Sequence, residues 1–171
     1  NKNKYLEISS ILGENFVIKQ EEIDLFELQS LSCQEVIEKK LKDSFDILKK
    51  DVFCEDTGLI IENMNGFPGA LTKFYLKIGL DKICKFHAGE VAYAQTIIGY
   101  HNEKIHFFEG KIKGKISSYP RGNGFGWDPI FIPENFNKSF AELSFEEKNK
   151  ISMRAIAASK FKNFLEKNIE F

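Results

Sequence analysis

Two hydrophobic periodicities alternate along the chain and predict its secondary structure. Apolar residues recurring every three to four positions predict helices with one buried face, whereas alternation with polar residues and short apolar runs predict strands. Helices are predicted over residues 4–12, 32–50, 71–78 and 80–86, in a segment that begins at Ser144, and in the closing segment after Arg154. Strands are predicted over residues 16–20, 52–54, 59–62, 90–100, 105–116 and 129–133.

The clearest strand pair is predicted from residues 90–100 and 105–116, which the polar turn 101–104 separates as in a hairpin. In the second strand, apolar residues and glycines alternate with Glu109 and three lysines. This alternation predicts a sheet with one buried face and one solvated face. The alternating lysines are most simply explained by the solvated face.

Composition narrows both the class of protein and its partners. The 171 residues are 43% hydrophobic and include 17 phenylalanines, which suits one domain with a packed core. With 24 basic and 25 acidic residues the net charge is -1, so broad electrostatic binding to nucleic acid is not supported. The sequence has neither an apolar run of about 18 residues, as a membrane span requires, nor a signal-peptide pattern.

The three cysteines indicate a reducing compartment. Cys33, Cys54 and Cys84 are odd in number and show no C-x-x-C spacing, so free thiols are favoured over disulfides or a zinc site. A cytoplasmic protein without nucleic-acid or membrane partners is therefore predicted.

Candidate chemistry is concentrated between Ser117 and Arg154. A glycine-rich loop carries Phe125, Gly126, Trp127 and Asp128, so that two aromatic rings stand beside one carboxylate. Both arginines of the chain, Arg121 and Arg154, also fall in this segment. Aromatic faces with charged edge partners are what a pocket for a heteroaromatic base requires. A glycine-rich loop followed by a surface helix explains the same residues equally well.

Two further stretches suit a polyphosphate and a metal ion. Asn1, Lys2 and Lys4 open a predicted helix, where free N–H groups and the helix dipole favour an anion. A solvated chain end is the simpler explanation of these residues alone. Glu55 and Asp56 follow a short strand and offer the oxygen ligands that a hard cation prefers. A tight turn with Asp56 bonded to its own backbone explains that pair as well.

Taken together, the motifs resemble those of the inosine triphosphate pyrophosphatase family, also called Ham1-type. The family pattern is roughly PRG, FG[YW]DPIF, F-AE[ML] and EEKN-[IV]SHR, preceded by [ED]D[ST]G and G-x-PG. The chain matches it in order with residues 55–58, 66–69, 120–122, 125–131, 140–143, 146–149 and 151–154. One position differs, because Met153 stands where the family has histidine.

The resemblance implies a fold and an activity. The fold is α/β, a mixed and strongly twisted sheet with flanking helices and two lobes around a central cleft. Residues 1–171 would form one nucleoside triphosphate pyrophosphatase domain, and the family's first strand would precede Asn1. The activity is the Mg²⁺-dependent hydrolysis of ITP, dITP and XTP to the monophosphate and pyrophosphate, usually by a homodimer.

The resemblance also assigns roles to individual residues. Asp56 is implied as metal ligand and general base acting on a metal-activated water, with Glu27 as second ligand and Glu55 as an open third. In the family, the lysine five residues after the glutamate that opens the second helix binds phosphate. This implies that Lys40, rather than Lys39, binds phosphate in this chain. The implied substrate-binding residues are Asn1, Lys4, Lys40, Thr57, Lys73, Phe125, Gly126, Trp127, Asp128, Lys148, Ser152, Met153 and Arg154.

Met153 bears on base selectivity. Methionine has no hydrogen-bond donor, so it does not replace a histidine N–H at the base edge. We expect the preference for 6-oxo purines to survive through Arg154 and to be weaker. The alternative for Met153 is simple packing.

Three alternatives to this activity stay open at the level of sequence. The first is a related pyrophosphatase with another base preference, and the second is a nucleotide-binding protein that does not hydrolyse. Glu27 and Asp56 argue against the second, because a pure binder needs no base. The third, a nucleic-acid-binding module using Phe125, Trp127 and the lysines of residues 111–115, is disfavoured by the near-neutral charge.

Overall fold

A computed structural model describes residues 2–168 as one five-stranded sheet with six helices. The helices are α1 (Lys2–Leu12), α2 (Cys33–Leu48), α3 (Thr72–Tyr75), α4 (Leu80–His87), α5 (Phe145–Ile151) and α6 (Met153–Asn168). The strands are β1 (Val52–Ile61), β2 (Pro68–Gly69), β3 (Val91–His101), β4 (Ile105–Ile116) and β5 (Phe131–Pro133). Short 3-10 turns cover Glu62–Met64, Leu76–Ile78, Asp128–Ile130 and Phe140–Glu142.

The sheet has the order β2-β1-β3-β4-β5, and the described neighbours pair antiparallel. The predicted hairpin is confirmed, since β3 and β4 pair from Val91 opposite Lys115 to His101 opposite Ile105. In β4 the glycines and Ile116 are buried while Glu109 and the lysines are exposed, as the alternation predicts. With helices packed on this sheet, the predicted α/β class is confirmed.

The prediction of two short strands on either side of residues 55–58 is wrong. β1 runs without interruption from Val52 to Ile61, and Glu55, Asp56 and Thr57 each pair with a residue of β3. The carboxylates therefore lie in the middle of a strand and not at its end. Because successive side chains of a strand point to opposite faces, Glu55 and Asp56 are directed to opposite sides of the sheet.

The predicted strand over residues 16–20 is also wrong. These residues have no regular secondary structure. Phe16 and Ile18 instead pack against the apolar cluster that α1 and α6 form on the sheet. Their alternation with polar residues reflects this packing, because a strand also needs a partner edge, and no pairing is formed here by the described residues.

Both faces of the sheet are covered by helices. α2 packs on one face through Ile37 and Leu41, and α1 and α6 pack on the other through residues that include Phe161. Gly99 permits the first contact, because a Cβ there would overlap Ile37 and Leu41. Gly110 permits the second in the same way, since a Cβ would overlap the backbone at the start of α6.

Predicted caps begin two of the helices. The Ser32 hydroxyl accepts a hydrogen bond from the Glu35 N–H at 3.3 Å, and Ser144 and Glu147 form a complete capping box. The helix predicted over residues 71–78 is a single α-turn followed by a 3-10 turn. None of the helices in residues 2–168 has the length and apolar character that crossing a membrane requires.

Candidate active site

A cleft of about 660 Å³ lies beside the middle of β1. Its wall is contributed by α1, α2, α3, β1, the glycine-rich loop and the start of α6, together with residues 27–30. Twelve residues that the sequence predicted for the site line it, namely Lys4, Glu27, Lys40, Asp56, Thr57, Lys73, Phe125, Gly126, Trp127, Asp128, Met153 and Arg154. The structure therefore brings both halves of the predicted site into one cavity.

Of the other predicted residues, Lys148 and Ser152 stand apart from that wall. Asn1 lies outside the described residues. Lys148 is buried, and its ammonium group contacts Asp128 of the cleft wall at 2.6 Å. Ser152 is also buried, and its hydroxyl accepts a hydrogen bond from the Ala155 N–H at 3.1 Å, as an N-terminal cap of α6.

Three lysines from three different helices reach the cleft. Lys40 and Lys73 lie 3.6 Å and 3.5 Å from the carboxylate of Glu27, so they approach it from α2 and α3. Lys4 of α1 lies 2.8 Å from Glu55. Lys39 is absent from the cleft wall and pairs with Asp43 at 2.6 Å along its own helix. The lysine that the sequence selected is therefore the one that faces the cavity.

Asp56 is a half-buried carboxylate on the face of β1 that α2 covers. Burial raises its pKa above the ordinary value, although the ammonium groups of Lys4 and Lys40 act in the opposite direction. The thiol of Cys33 donates a hydrogen bond to it, and burial raises the pKa of that thiol to about 12. Asp56 is thus a carboxylate of increased basicity next to a neutral donor, a suitable environment for a general base.

Glu55 has a different environment on the opposite face of the sheet. Burial acts to raise its pKa, but Lys4 and the Arg154 guanidinium, 3.1 Å away, lower it to about 2. Thr57 also donates a hydrogen bond to it. Glu55 is therefore a buried, ionised carboxylate in the cleft wall that is stabilised by its two cationic partners.

Arg154 is almost fully buried and is held by several acceptors. Its three nitrogens donate to Glu55, Glu7 and Thr57, the last at 3.2 Å. Lys148 lies 3.7 Å from the same Glu7. A line of ion pairs therefore connects Lys4 of α1 to Lys148, whose ammonium group lies beside the ring of Phe125.

The aromatic end of the cleft, at Phe125 and Trp127, presents one open ring and one mostly covered ring. Phe125 is 37% exposed and has the Lys148 ammonium group 5.1 Å from its ring centroid. Trp127 is only 7% exposed, because it packs edge-on against Phe131 and at a tilt against Phe140. Gly126 joins them with a φ of +63°, a conformation that favours glycine.

Asp128 and Met153 complete this end of the cleft. Asp128 is buried, and burial raises its pKa although Lys148 opposes the shift. Met153 is 1% exposed and belongs to the apolar cluster that contains Trp127, yet it still contributes to the cavity wall. Both proposals for Met153, packing and contact with the base edge, are therefore consistent with its position.

Comparison with known proteins agrees with the sequence motifs. The family model described as Ham1 family matches residues 1–164. The chain belongs to the Ham1 family. The dITP/XTP pyrophosphatase of Thermococcus kodakarensis is 40% identical over 149 residues, which cover 84% of this chain and 81% of that protein. The inosine triphosphate pyrophosphatase of Schizosaccharomyces pombe is 39% identical over 174 residues, which cover 97% and 92%.

Solved structures of Ham1 proteins share the fold. A HAM1 protein from Coxiella burnetii superposes with a TM-score of 0.83 at 25% identity, over 98% of this chain and 95% of that one. The Staphylococcus aureus Ham1 protein gives a TM-score of 0.75 at 28% identity, over 86% and 83%. The family membership expected from the motifs is thereby confirmed.

A magnesium site in this Ham1 chain would rest on two carboxylates. Residues 2–168 contain no cluster of three or more His, Cys, Asp or Glu side chains that would enclose a metal. Mg²⁺ retains several waters and uses one or two carboxylates, so a complete protein cage is not required. The exposed carboxylate of Glu27 lies 3.6 Å from Lys40 and 3.5 Å from Lys73, and burial disfavours the anionic form of Asp56. A cation near both would suit their chemistry.

Glu7 is the functional candidate that the sequence interpretation missed. It is 5% exposed, and its carboxylate pairs with Arg154 and Lys148 behind the cleft. The spacing of residues in the predicted helix could have identified Glu7, because it follows Lys4 by three residues and precedes Ile11 by four. It therefore shares a helix face with both. A carboxylate within an apolar stripe needs a buried cation, but the sequence does not show which one.

The ion pairs of Glu55 predict an acid-sensitive stability. Because the pKa falls from 4.5 to about 2 on folding, Glu55 stabilises the protein fully above about pH 4.5. This contribution is lost as the pH falls from about 4.5 to about 2. We expect Glu55→Gln to flatten the decline in unfolding free energy over that range, measured by urea titration at several pH values. Glu38→Gln, in an exposed pair with Lys42, should keep the wild-type slope; equal slopes for both variants would contradict the assignment.

Proposed function

We propose that this chain hydrolyses the non-canonical purine nucleoside triphosphates dITP, XTP and ITP to the monophosphate and pyrophosphate. The observation that carries the proposal is that Asp56 and Trp127 line one cavity, together with Lys4, Lys40, Lys73 and the open ring of Phe125. Relatives named dITP/XTP pyrophosphatase and inosine triphosphate pyrophosphatase, at 34–40% identity, support the substrate class.

At the phosphate end, cations are needed on several sides of the substrate. A triphosphate carries about four negative charges, and lysine ammonium groups act on it as point charges. Lys4, Lys40 and Lys73 approach from three helices, and Glu27 lies between the last two. We assign the triphosphate to this lysine-lined part of the cleft. Its phosphate oxygens would replace the carboxylate of Glu27 as partners of Lys40 and Lys73.

In the proposed reaction Asp56 accepts a proton from the water that attacks the α-phosphorus. The pyrophosphate group then leaves with the electron pair of the broken P–O bond. Glu27 and Asp56 would hold Mg²⁺, which when bound would draw charge from the phosphoryl oxygens and acidify a nearby water. Burial raises the pKa of Asp56, and a bound cation would lower it again, so the carboxylate would be ionised and able to accept the proton.

At the base end, we propose that fixed donors select the 6-oxo group. Hypoxanthine and xanthine present an oxygen at position 6, whereas adenine presents an amino group that would leave a buried donor unpaired. Arg154 is such a donor, because Glu7 and Glu55 hold its guanidinium in place. Guanine shares the 6-oxo group, so its exclusion must involve the 2-amino side.

A phosphate-product assay tests the proposed function directly. ITP, XTP, dITP, GTP, ATP and dUTP are supplied with and without Mg²⁺, and released pyrophosphate and monophosphate are measured separately. We expect rapid, Mg²⁺-dependent release from ITP, dITP and XTP. Faster release from dUTP would indicate a pyrophosphatase of different base preference. Binding of ITP without product release would overturn the proposed hydrolysis.

Met153→His tests the base edge. We expect the ratio of kcat/KM for ITP to that for ATP to rise about fivefold, because one hydrogen bond to a neutral partner contributes about 1 kcal/mol. Met153→Leu, which offers neither donor nor acceptor, should keep the wild-type ratio. An unchanged ratio in the histidine variant, with an unfolding temperature near that of wild type, would remove Met153 from base recognition.

We also propose a homodimer in a reducing compartment. The family resemblance supports the first, and the three free cysteines, of which Cys33 and Cys84 are buried, support the second. Sedimentation equilibrium over a range of protein concentrations measures the oligomeric state. A mass of 19.7 kDa at all concentrations would contradict the dimer.

A further inference from the structure

Phe74 lines the cleft, and none of the roles proposed above involves its side chain. Twelve large hydrophobic residues in the described part of the chain are exposed, and of these only Phe74 and Phe125 line the cleft. Phe125 belongs to the base end. Phe74 belongs to α3, which contributes another part of the cleft wall, and is 42% exposed. Single exposed hydrophobic residues are common, but one that faces a substrate cleft is a candidate for ligand contact.

The anchoring of α3 explains why Phe74 points outward. Thr72 is buried, and its hydroxyl donates to the Gly69 carbonyl at 2.6 Å and accepts from the Leu59 N–H at 2.8 Å. The Tyr75 hydroxyl forms a hydrogen bond of 2.8 Å with His87. Thr72 and Tyr75 thus fix α3 to the body of the protein from both of its ends.

His87 is itself held on its other side by Glu90, whose carboxylate lies 3.0 Å from Nδ1. The Tyr75 ring also packs edge-on against Phe67 at 5.2 Å. Since successive helical residues point about 100° apart, a half-buried Tyr75 that packs against the core leaves Phe74 directed away from it. Burying the phenyl ring of Phe74 would break these contacts, so the fold holds the ring on the cleft wall.

Lysine ammonium groups flank the ring of Phe74. Those of Lys73 and Lys77 lie 5.6 Å and 5.5 Å from the ring centroid, within the range of cation–π attraction. Leu71 and Leu76 continue the same apolar wall on either side of α3. This wall therefore combines an aliphatic and aromatic surface with a phosphate-binding lysine that immediately precedes the ring.

We propose that Phe74 contacts the nucleoside part of the substrate, packing its ring against the apolar face of the sugar. The inference rests on the proposed function. A nucleotide with its phosphates at Lys4, Lys40 and Lys73 and its base at Phe125 must cross the middle of the cleft with its sugar. Phe74 is adjacent in sequence to Lys73 and lines the same cavity as Phe125. Phe74 is therefore a substrate-contacting residue of the α3 wall.

The first test compares variants of Phe74 in steady-state ITP hydrolysis. We expect Phe74→Ala to raise KM about tenfold and to change kcat less than twofold, because the contact is equally present in ground state and transition state. Phe74→Trp should restore a KM near that of wild type, since it keeps the aromatic surface. Phe86→Ala is the matched control, as Phe86 is 62% exposed but is not part of the cleft wall.

A second probe separates sugar contact from an effect on Lys73. Inorganic tripolyphosphate has the phosphates of the substrate but no nucleoside, and its inhibition constant is measured against ITP. We expect the same constant for wild type and Phe74→Ala. A tenfold weaker inhibition of the variant would show that the ring only orients Lys73, and the proposal would be overturned.

The outcomes for this inference and for the proposed function are distinguishable. A wild-type protein that does not hydrolyse ITP would refute the proposed function at once. A wild-type enzyme that hydrolyses ITP, together with an unchanged KM in Phe74→Ala, would refute the inference alone. Unfolding temperatures of Phe74→Ala and Phe86→Ala should match wild type within about 2 °C, because both rings are exposed.

Discussion

Asp56→Asn is expected to lower kcat for ITP hydrolysis by about 100- to 10,000-fold, the range typical for loss of a general base. Asparagine keeps the size and the hydrogen-bonding oxygen of aspartate but does not accept a proton at neutral pH. KM should change much less, because the lysines that hold the triphosphate are untouched. Single-turnover measurement of pyrophosphate release gives the chemical step directly.

The same variant should fold normally. Burial raises the pKa of Asp56, so its ionised form costs free energy in the folded state, and a neutral amide removes that cost. We therefore expect an unfolding temperature equal to or slightly above that of wild type. Asp46→Asn, an exposed aspartate 3.4 Å from Lys49, is the control and should retain full activity. Near-normal pyrophosphate release by Asp56→Asn would remove Asp56 from the role of base.

Arg154→Met should be the most destabilising single change in the site. It leaves the buried carboxylates of Glu7 and Glu55 without their shared partner, and breaking a buried ion pair costs about 3–5 kcal/mol. For a chain of this size we expect the unfolding temperature to fall by on the order of 10 °C. Urea unfolding at pH 7 measures the free energy, and circular dichroism measures the melting temperature.

Two controls make the Arg154 result specific to the buried network. Lys39→Met breaks the exposed pair with Asp43 and should cost at most about 1 kcal/mol. Combining Arg154→Met with Glu7→Gln removes one uncompensated charge and should recover part of the lost stability. An Arg154→Met protein as stable as Lys39→Met would mean that the buried line of ion pairs contributes little to the fold.

Local patterns along the chain determined much of the fold. The alternation in residues 105–116 and the turn at 101–104 place the hairpin correctly, because strand alternation depends only on which face is buried. Ser32 and Ser144 begin helices as predicted, since a cap needs only its neighbours in sequence. The resemblance to the Ham1 family also identified twelve of the residues that line the cleft.

Errors arose where the outcome depends on distant partners. Residues 16–20 alternate as a strand does but pair with no edge, and Glu55–Gly58 resemble a loop but are paired along β3. Strand pairing joins residues far apart in sequence, so no local pattern contains it. The tertiary structure also decided that Glu55 and Asp56 point to opposite faces and acquire opposite pKa shifts.

The sequence by itself determined the family, the hairpin and the residue types available for phosphate, metal and base. Only the tertiary structure decided which charges meet. Glu7 and Arg154 are 147 positions apart, and they pair because α1 and α6 pack on the same face of the sheet. Phe74 faces the cleft because Thr72 and Tyr75 fix α3 in one orientation. Burial and pairing depend on the three-dimensional neighbours of a side chain, and those neighbours exist only once the chain is folded.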